Sequence, residues 1–345
     1  MKIIHLADVH LGSKIESKLP KEKAEIRKSE VRQAFNKVIN YANENDIKII
    51  LISGDLFDSA RPLKKDKDFF YSVVKNNPDI DFIYLRGNHD SLESYSDEEP
   101  QNLKKFSEEW RTYFYENVTI SGVEISQSNK SAVSCGLHLP MDSKNLVMLH
   151  GSVEELPKLA EKNIDYLALG HIHAFSEAKI NIRGKSVYSG CLEGRGFDEI
   201  GVKGFVVLDT DTMNYEFVEN SVRIIEEHTV NVSNAADSYE AYKIICNEIS
   251  FKKENLCLIK VYGEITFDGS SLAEDIEEYM RDKCFFVHVK NKTTEKIDIE
   301  RLAEEISLKG EFVRTVLADA KYSKEEKERI ISVGLRAFRG LGVLK

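Results

Sequence analysis

At 345 residues, of which 42% are hydrophobic, the chain is long enough for two or three domains with cores of their own. Its net charge of −10 argues against a protein that coats nucleic acid through bulk electrostatics, so any such contact must come from local basic patches. The apolar runs fall short of the ~18 residues of a membrane span, the first residues turn polar too early for a secretory signal, and the scattered cysteines are typical of reduced thiols, so we expect a cytoplasmic protein.

Five short apolar runs are predicted strands, and each is followed by side chains that can bind a metal ion. In chain order the runs are residues 3–7, residues 47–52 and those within DFIYLRGNHD, NLVMLHG and IDYLALGHIH. The side chains that follow them are Asp8 and His10, then Asp55, then Asn88, His89 and Asp90, then His150, and finally His171 and His173. Helical patterns such as SEVRQAFNKVINYANEN separate the early strands, which predicts parallel pairing and strand ends along one edge.

Glycines stand beside these side chains, at Gly54, Gly87, Gly151 and Gly170. Tight turns and a close approach of the backbone to an ion both favour glycine. Each fragment alone has an ordinary explanation, because Asp-x-His is common by chance, GNHD is a usual turn composition and a single histidine is more often part of a core. Their joint occurrence at five strand ends indicates a metal site instead.

The candidate ligands offer carboxylate and amide oxygens and imidazole nitrogens, without sulfur. This donor set suits two divalent ions, with Mn²⁺ favoured and Fe²⁺, Zn²⁺ or Mg²⁺ open, rather than a closed structural zinc site. A carboxylate such as Asp55 can bridge two ions, and ions ~3.5–4 Å apart can activate a water and clamp a phosphate under attack. Because no serine or cysteine stands in a nucleophile motif, the pattern predicts water as the nucleophile.

The series of motifs resembles the calcineurin-like metallophosphoesterases over roughly the first two-thirds of the chain. Its members are Asp8-x-His10, Gly54-Asp55, GNHD, His150-Gly151 and GHIH. The resemblance implies an α/β (α+β) fold, a two-layer β-sandwich flanked by helices. It implies one ion held by Asp8, His10, Asp55 and His173, and a second held by Asp55, Asn88, His150 and His171. It further implies that His89 stabilises the transition state without binding metal, and that Asp90 orients His89.

Within that superfamily, three stretches are similar to the SbcD and Mre-type DNA repair nucleases. They are HLADVHLGS, GDLFDSARP and YSGCLEGRGFDEIGVKGF, the last of which contains Ser189, Gly190, Glu193, Arg195, Phe197 and Glu199. One departure is Asp58, which stands where some relatives have a histidine, although bacterial relatives often have an acidic residue there. The resemblance implies a metal-dependent exonuclease and endonuclease in DNA double-strand break repair. It also implies an SbcC-like coiled-coil ABC ATPase as partner, and it leaves a homodimer open.

Two other functions stay open from the sequence. One is a phosphodiesterase or phosphatase that acts on small molecules, and the other is a non-catalytic scaffold of the same fold. A capping domain and basic loops argue against the first, and a complete set of ligand positions argues against the second.

Basic residues follow two of the candidate ligand loops and are candidate contacts for DNA phosphates. Residues 14–32 contain seven basic and four acidic side chains, and RPLKKDK follows the Asp55 loop. A solvated, salt-bridged face is the alternative explanation of both stretches. The candidate DNA contacts are Lys18, Lys21, Lys23, Arg61, Lys64, Lys65 and Arg195.

The pattern resets after residue 222, which predicts a nuclease domain over residues 1–222. Residues 228–292 have a β-α-β-α-β pattern without a ligand constellation, and the resemblance implies a small α/β capping domain that helps to grip DNA. Residues 297–345 are predicted to be helical. They contain an apolar stripe that either packs on the chain's own cap or docks the ATPase, formed by Ile330, Ile331, Gly334, Leu335, Phe338 and Leu341.

Overall fold

A computed structural model describes residues 1–15, 18–94, 98–130, 133–152, 157–296 and 298–338. The chain divides into two compact units. The first comprises Met1–Glu227, Lys253–Cys257 and Cys284–Phe286. The second comprises His228–Lys252, Leu258–Lys283 and Val287–Lys345.

The first unit contains two six-stranded sheets. The first sheet has the order β12-β11-β1-β2-β3-β4, from β1 (Lys2–Leu6), β2 (Ile49–Ser53), β3 (Asp81–Leu85), β4 (Leu103–Lys105), β11 (Gly204–Asp209) and β12 (Asn214–Glu219). The second sheet has the order β5-β6-β7-β8-β10-β9, from β5 (Arg111–Tyr115), β6 (Val118–Gly122), β7 (Lys144–His150), β8 (Tyr166–Gly170), β9 (Ser176–Lys179) and β10 (Lys185–Tyr188). β1, β2 and β3 pair in parallel, as do β7 and β8.

The sequence pattern predicts one common edge for the five ligand-bearing strands, but the structure divides them between the two sheets. β1, β2 and β3 lie in the first sheet, and β7 and β8 lie in the second. The reason is the antiparallel hairpin of β5 and β6, because it starts a new sheet that β7 then joins in parallel. β2 lies against β7 and β8, so the two-layer sandwich implied by the resemblance is confirmed.

Alternating residues of the buried strands enter two different cores. In β2, Ile49 and Leu51 pack between the two sheets, whereas Ile50 and Ile52 pack on the helical side. Successive strand residues point to opposite faces, and a strand covered on both faces is apolar throughout. The IILIS run therefore has no exposed residue to mark an outer face.

Helices α1 (Lys21–Glu44), α2 (Lys64–Asn76) and the short α3 (Val133–Gly136) belong to the first unit. The predicted apolar face of α1 is confirmed, since Val31, Ala34, Phe35, Val38, Ile39 and Ala42 are all buried. However, α1 begins at Lys21, well before the predicted pattern, and α2 begins at Lys64. The candidate DNA contacts Lys21, Lys23, Lys64 and Lys65 therefore lie on the first turns of two helices and not in the ligand loops.

A third sheet has the order β13-β14-β15, from β13 (Ile225–Asn231), β14 (Leu256–Ile265) and β15 (Phe286–Glu295). Helices α4 (Ser238–Glu248) and α5 (Leu272–Tyr279) alternate with its strands, in the order that the sequence predicts. Three further helices follow, namely α6 (Ile299–Glu304), α7 (Leu308–Ala318) and α8 (Lys324–Phe338). Among the residues described, no helix has the length and apolar character that crossing a membrane requires.

The apolar stripe of α8 packs mainly on α7. Ile331 and Leu335 are buried in a cluster with Val313, and a Cβ added at Gly334 would lie 2.2 Å from the Phe312 ring. The inner residues of the stripe therefore stabilise the helical segment itself, a packing that neither of the two sequence-based alternatives describes. Phe338 is 42% exposed, and Leu341 lies outside the described residues.

Candidate metal centre

The loops after β1 and β2 are joined through their backbones. The Asp8 amide donates to the Gly54 carbonyl at 3.0 Å, and the His10 amide donates to the Asp55 carbonyl at 3.0 Å. These bonds place three candidate ligands of the first sheet side by side. The positions of Asp8, His10 and Asp55 are therefore determined by main-chain contacts.

Several candidate ligands have an unusual backbone conformation. The φ angles of Asp8, His10, Asp55 and His171 are 52°, 51°, 49° and 101°. Positive φ is uncommon outside glycine, costs on the order of 1–3 kcal/mol per residue and occurs preferentially at functional sites. Among the other non-glycine residues that the structure describes, it occurs at Asp46, Glu116 and Met213. More than half of these positions thus lie at one site.

Glycine is required where the loops approach each other most closely. A Cβ on Gly54, which has a φ of 91°, would lie 2.2 Å from His150 Nδ1, and a Cβ on Gly87 would lie 2.2 Å from Asp55 Oδ1. A Cβ on Gly170 would meet the Ser53 carbonyl oxygen at 2.0 Å. At these three glycines the backbone approaches neighbouring loops closely, whereas no atom of the described residues lies within 4 Å of a Cβ added at Gly151.

His150, Asn88, Asp55 and His171 form one group of converging atoms. His150 Nδ1 lies 2.9 Å from the Ser53 carbonyl, to which it donates, so a neutral His150 ring carries its lone pair on Nε2. That Nε2 lies 3.0 Å from Asn88 Oδ1 and 3.3 Å from Asp55 Oδ2. Asn88 Oδ1 also lies 3.1 Å from His171 Nδ1. Several acceptor atoms thus face one another, which suits a bound cation.

Asp8, His10 and His173 form a second group, with one ligand atom from each residue within 4.8 Å of the others. The Nε2 atoms of His10 and His173 are 3.2 Å apart. Both Asp8 oxygens accept the His171 amide, at 2.9 and 3.0 Å. The carboxylate and the two imidazoles therefore converge on one point.

Asp55 lies between the two groups. Its Oδ2 is 3.3 Å from His150 Nε2 and 3.9 Å from His10 Nε2, and its Oδ1 accepts the His89 amide at 2.8 Å. The side chain is almost fully buried. Because one carboxylate faces both groups, the arrangement fits two divalent ions that share a ligand.

The buried charges of the centre shift one another's pKa values. Burial raises the pKa of Asp8 to about 6. Burial acts in the same direction on Asp55, but its contacts with His150 outweigh burial and lower its pKa to about 2. Conversely, burial alone would lower the pKa of His150, whereas the Asp55 carboxylate raises it to about 9. The metal-free protein therefore holds a proton, and with it a positive charge, on His150 beside the Asp55 carboxylate.

His89 lies beside the first-sheet ligands and is exposed. Its ring is 5.0 Å from the His10 ring, edge to face, and its Nδ1 lies 3.2 Å from the Asp58 carbonyl. With Nδ1 donating to that carbonyl, the Nε2 atom is left to act on a bound substrate. One ligand atom each of His10, Asp58 and His89 also lies within 4.8 Å of the others, so His89 borders the group that contains His10.

The expected role of Asp90 needs a correction. Its carboxylate accepts the backbone amides of Leu56, Phe57 and Gly87 at 3.2, 2.9 and 3.0 Å. These bonds engage both oxygens, so in the described structure Asp90 holds the loop of Asp55 and does not orient the His89 ring. Burial raises the pKa of Asp90 to about 6 despite these amide bonds.

Three residues that the sequence does not place at the metal site lie directly behind its imidazoles. Glu199 Oε1 is 2.6 Å from His173 Nδ1 and 2.5 Å from the Arg195 guanidinium. Asp58 Oδ1 is 2.9 Å from the same guanidinium and 3.1 Å from His10 Nδ1. The contact between Asp58 and His10 is short, but it does not have the geometry of a hydrogen bond. His10 Nδ1 therefore has no hydrogen-bond partner among the described residues. Arg195, a candidate DNA contact, is thus already engaged by two carboxylates.

The other candidate DNA contacts differ in their surroundings. Lys23 donates to the Phe285 carbonyl at 2.6 Å and lies over the Phe285 ring, which argues for a structural role. Arg61 is 85% exposed and lies 3.5 Å from Glu93. The remaining four are exposed, namely Lys18, Lys21, Lys64 and Lys65.

Comparison with known proteins agrees with this geometry. Residues 1–175 match the family described as calcineurin-like phosphoesterase. A protein named DNA double-strand break repair protein Mre11 from Methanosarcina acetivorans is 24% identical, over 96% of this chain and 55% of that protein. The protein of the same name from Sulfolobus acidocaldarius is 22% identical, over 96% of this chain and 94% of that protein. The uncharacterized metallophosphoesterase YhaO of Bacillus subtilis is 26% identical, over 73% of this chain and 68% of that protein.

These similarities confirm the resemblance that the motifs carry. The chain spans about half the length of several curated relatives that it matches, including the one from Methanosarcina acetivorans.

Proposed function

The chain belongs to the calcineurin-like phosphoesterase family, a family of hydrolases with a dinuclear metal centre, and we propose that it is a metal-dependent DNA nuclease. It would hydrolyse phosphodiester bonds as an exonuclease and endonuclease in double-strand break repair. The observation that supports this proposal most strongly is the convergence of two ligand groups on the shared Asp55 carboxylate. The similarity to proteins named Mre11 supports DNA as the substrate.

Each residue of the centre has a proposed part. Asp8, His10, Asp55 and His173 would hold one ion, and Asp55, Asn88, His150 and His171 would hold the other. Two bound ions would supply an activated water and neutralise charge on the phosphate. His89, whose Nδ1 donates to the Asp58 carbonyl, would act as an imidazolium, so that its Nε2–H stabilises the transition state and gives its proton to the leaving 3′ oxygen. We propose Mn²⁺ as the ion, and the mixed oxygen and nitrogen donors are compatible with it as they are with Fe²⁺ or Zn²⁺.

The rest of the chain has a proposed part in handling DNA. Residues 1–222 would be the nuclease domain, residues 228–292 a capping domain that grips DNA, and residues 297–345 a segment that docks a coiled-coil ABC ATPase like SbcC. Exposed Lys18, Lys21, Lys64 and Lys65 on or near the first turns of α1 and α2 would contact phosphates.

A comparison of substrates tests the proposed nuclease activity. We expect the Mn²⁺-loaded protein to cut linear DNA with a kcat/KM at least ~10²-fold above that for bis(p-nitrophenyl) phosphate, because binding of remote phosphates contributes to the transition state. The DNA reaction alone should weaken steeply with salt. Preferred turnover of the small diester, without a salt dependence on DNA, would favour a small-molecule phosphodiesterase. Metal binding without turnover of either substrate would favour a scaffold.

The exposed end of α8 offers a test of the proposed ATPase docking. Phe338 is 42% exposed, whereas Leu335 on the same helix is 7% exposed. Phe338→Asp should abolish co-purification with the coiled-coil ATPase and, because it removes only an edge-to-face contact with the Phe312 ring, lower the melting temperature of the isolated protein little. Leu335→Asp is the matched control, and it should destabilise the protein because its carboxylate would be buried. A large loss of stability in Phe338→Asp would contradict the docking role.

A further inference from the structure

Glu199, Arg195 and Asp58 form a continuous chain of charged contacts behind two candidate ligands. Glu199 accepts from His173 Nδ1 at 2.6 Å, from the Arg195 amide at 2.6 Å and from the Arg195 guanidinium at 2.5 Å. The other end of that guanidinium donates to Asp58 at 2.9 Å, beside His10. The Glu199 side chain is 4% exposed, so its charge is compensated by these contacts and not by water.

The short contact between Glu199 and His173 determines the tautomer of the imidazole. A carboxylate accepts, so the ring proton lies on Nδ1 and the Nε2 lone pair points toward His10 and away from Glu199. The Arg195 guanidinium also comes within 3.2 Å of His173 Nδ1. Since a protonated Nδ1 cannot accept, the shorter bond to Glu199 is the one that orients the ring.

We propose that Glu199 and Arg195 are positioning residues for one of the two metal ions, the one between Asp8, His10 and His173. Glu199 fixes the orientation of His173, and Arg195 fixes Glu199 and Asp58 in one arrangement around both imidazoles. A carboxylate behind a ligating histidine raises the basicity of the imidazole and typically changes metal affinity by ~10–100-fold. This inference rests on the proposed function of the centre.

We expect the affinity for the other ion to be independent of the contacts among Glu199, Arg195 and Asp58. His150 is oriented by the Ser53 backbone carbonyl at 2.9 Å, and no side-chain carboxylate is needed for that bond. Asn88 and Asp55 complete its surroundings from the loops of the first sheet. Substitution of Glu199 should therefore lower the affinity for one ion and leave the affinity for the other unchanged. A general loss of structure would lower both affinities.

The same segment provides a matched control. Glu193 is 3% exposed and pairs with an arginine, Arg27, at 2.7 Å, as Glu199 pairs with Arg195. Its other contacts are the backbone amides of Val222 and Arg223 and not an imidazole. Glu193→Gln therefore repeats the chemical change of Glu199→Gln, at the same depth, without touching a candidate ligand.

The experiment is a calorimetric Mn²⁺ titration of chelator-treated protein, with melting curves of the metal-free samples. We expect Glu199→Gln to weaken one of two binding events by ~10-fold and Glu199→Ala by up to ~100-fold, while the other event stays within about twofold of wild type. Arg195→Met should weaken the same event. Glu193→Gln should lower the melting temperature and leave both affinities unchanged.

The inference is overturned if folded Glu199→Ala binds both ions as wild type does, or if both events weaken equally in Glu199→Gln. If Glu199→Ala fails to fold, the titrations of Glu199→Gln and Arg195→Met decide between these results. DNA cleavage by the same wild-type sample is a separate readout. A wild type that binds two ions without cutting DNA contradicts the proposed nuclease alone, whatever the Glu199 variants do.

Discussion

The two sheets of the first unit present different donors to the candidate metal centre. The loops of the first sheet supply all the oxygen donors, from Asp8, Asp55 and Asn88, together with His10. The second sheet supplies imidazoles, from His150 at the end of β7 and from His171 and His173 after β8. Neither sheet alone presents either complete group of ligands. The centre therefore depends on the packing of one sheet against the other.

The two sides also differ in what holds the ligands in place. The first-sheet loops are joined by backbone hydrogen bonds and by the amide contacts of Asp90. On the second sheet, His150 relies on a backbone carbonyl of the first, and His173 relies on the Glu199 side chain. Mutation of side chains should accordingly affect the parts of the centre unequally.

The largest effect is expected at the residue that both ligand groups share. Asp55→Ala should lower the affinity for both ions. It should also lower the rate of phosphodiester hydrolysis by roughly 10³-fold or more, because several kcal/mol of transition-state stabilisation by the metal ions are lost. Metal content and turnover of the same sample measure this. The control is Asp81→Ala, which removes a carboxylate paired with Lys104 at the start of the strand that leads to Asn88. Two ions bound to Asp55→Ala with unchanged affinity would show that the carboxylate is not shared.

A smaller effect, and a different one, is expected at His89. His89→Asn should keep both ions and lower kcat by at least ~10²-fold, as for other positioned proton donors. The reason is that only interactions stronger in the transition state than in the ground state accelerate the step. Calorimetry alongside single-turnover cleavage distinguishes the two effects. Loss of one ion together with activity would place His89 among the ligands, in the group with His10 and Asp58.

The smallest effect concerns the contact between the sheets away from the metal edge. His5 of β1 is fully buried and lies 2.9 Å from the Tyr166 hydroxyl of β8. Burial lowers its pKa to about 3 from an ordinary value of 6.5. Below pH 6.5 His5 binds a proton in the unfolded chain but stays neutral in the folded chain. The free energy of unfolding therefore falls as the pH decreases toward 3. At pH 5 this costs about 2 kcal/mol relative to pH 7.5.

His5→Leu should remove this part of the acid sensitivity, whatever its effect on stability at neutral pH. Urea unfolding of the metal-free protein at pH 7.5 and pH 5 measures the difference, with the exposed His138 replaced in the same way as a control. An unchanged difference between the two pH values in His5→Leu would mean that His5 does not stay neutral in the folded protein.

The candidate ligands could be located in the sequence because each follows a buried apolar run at short range. The arrangement of the strands could not, because the periodicity of β3 and β7 does not say that a hairpin separates them into two sheets. Positive φ at Asp8 and Asp55 is likewise a consequence of loops that meet only in the folded protein.

The residues that support the candidate ligands, without binding metal themselves, are the hardest to predict from the sequence. Glu199 follows His173 by 26 positions, and only the folded chain brings its carboxylate to the imidazole. Its membership of the segment that resembles the repair nucleases was the available signal. The family resemblance implies that Asp90 orients His89, but in the described structure its oxygens accept three backbone amides instead.

We propose that the two sheets together build one centre for two metal ions. The most direct measurement is the number of Mn²⁺ ions that the wild-type protein binds after chelator treatment, determined by calorimetry and by metal analysis of the dialysed sample. We expect two ions per chain, bound in distinguishable steps. Saturation at one ion, or no binding at millimolar Mn²⁺, would contradict it.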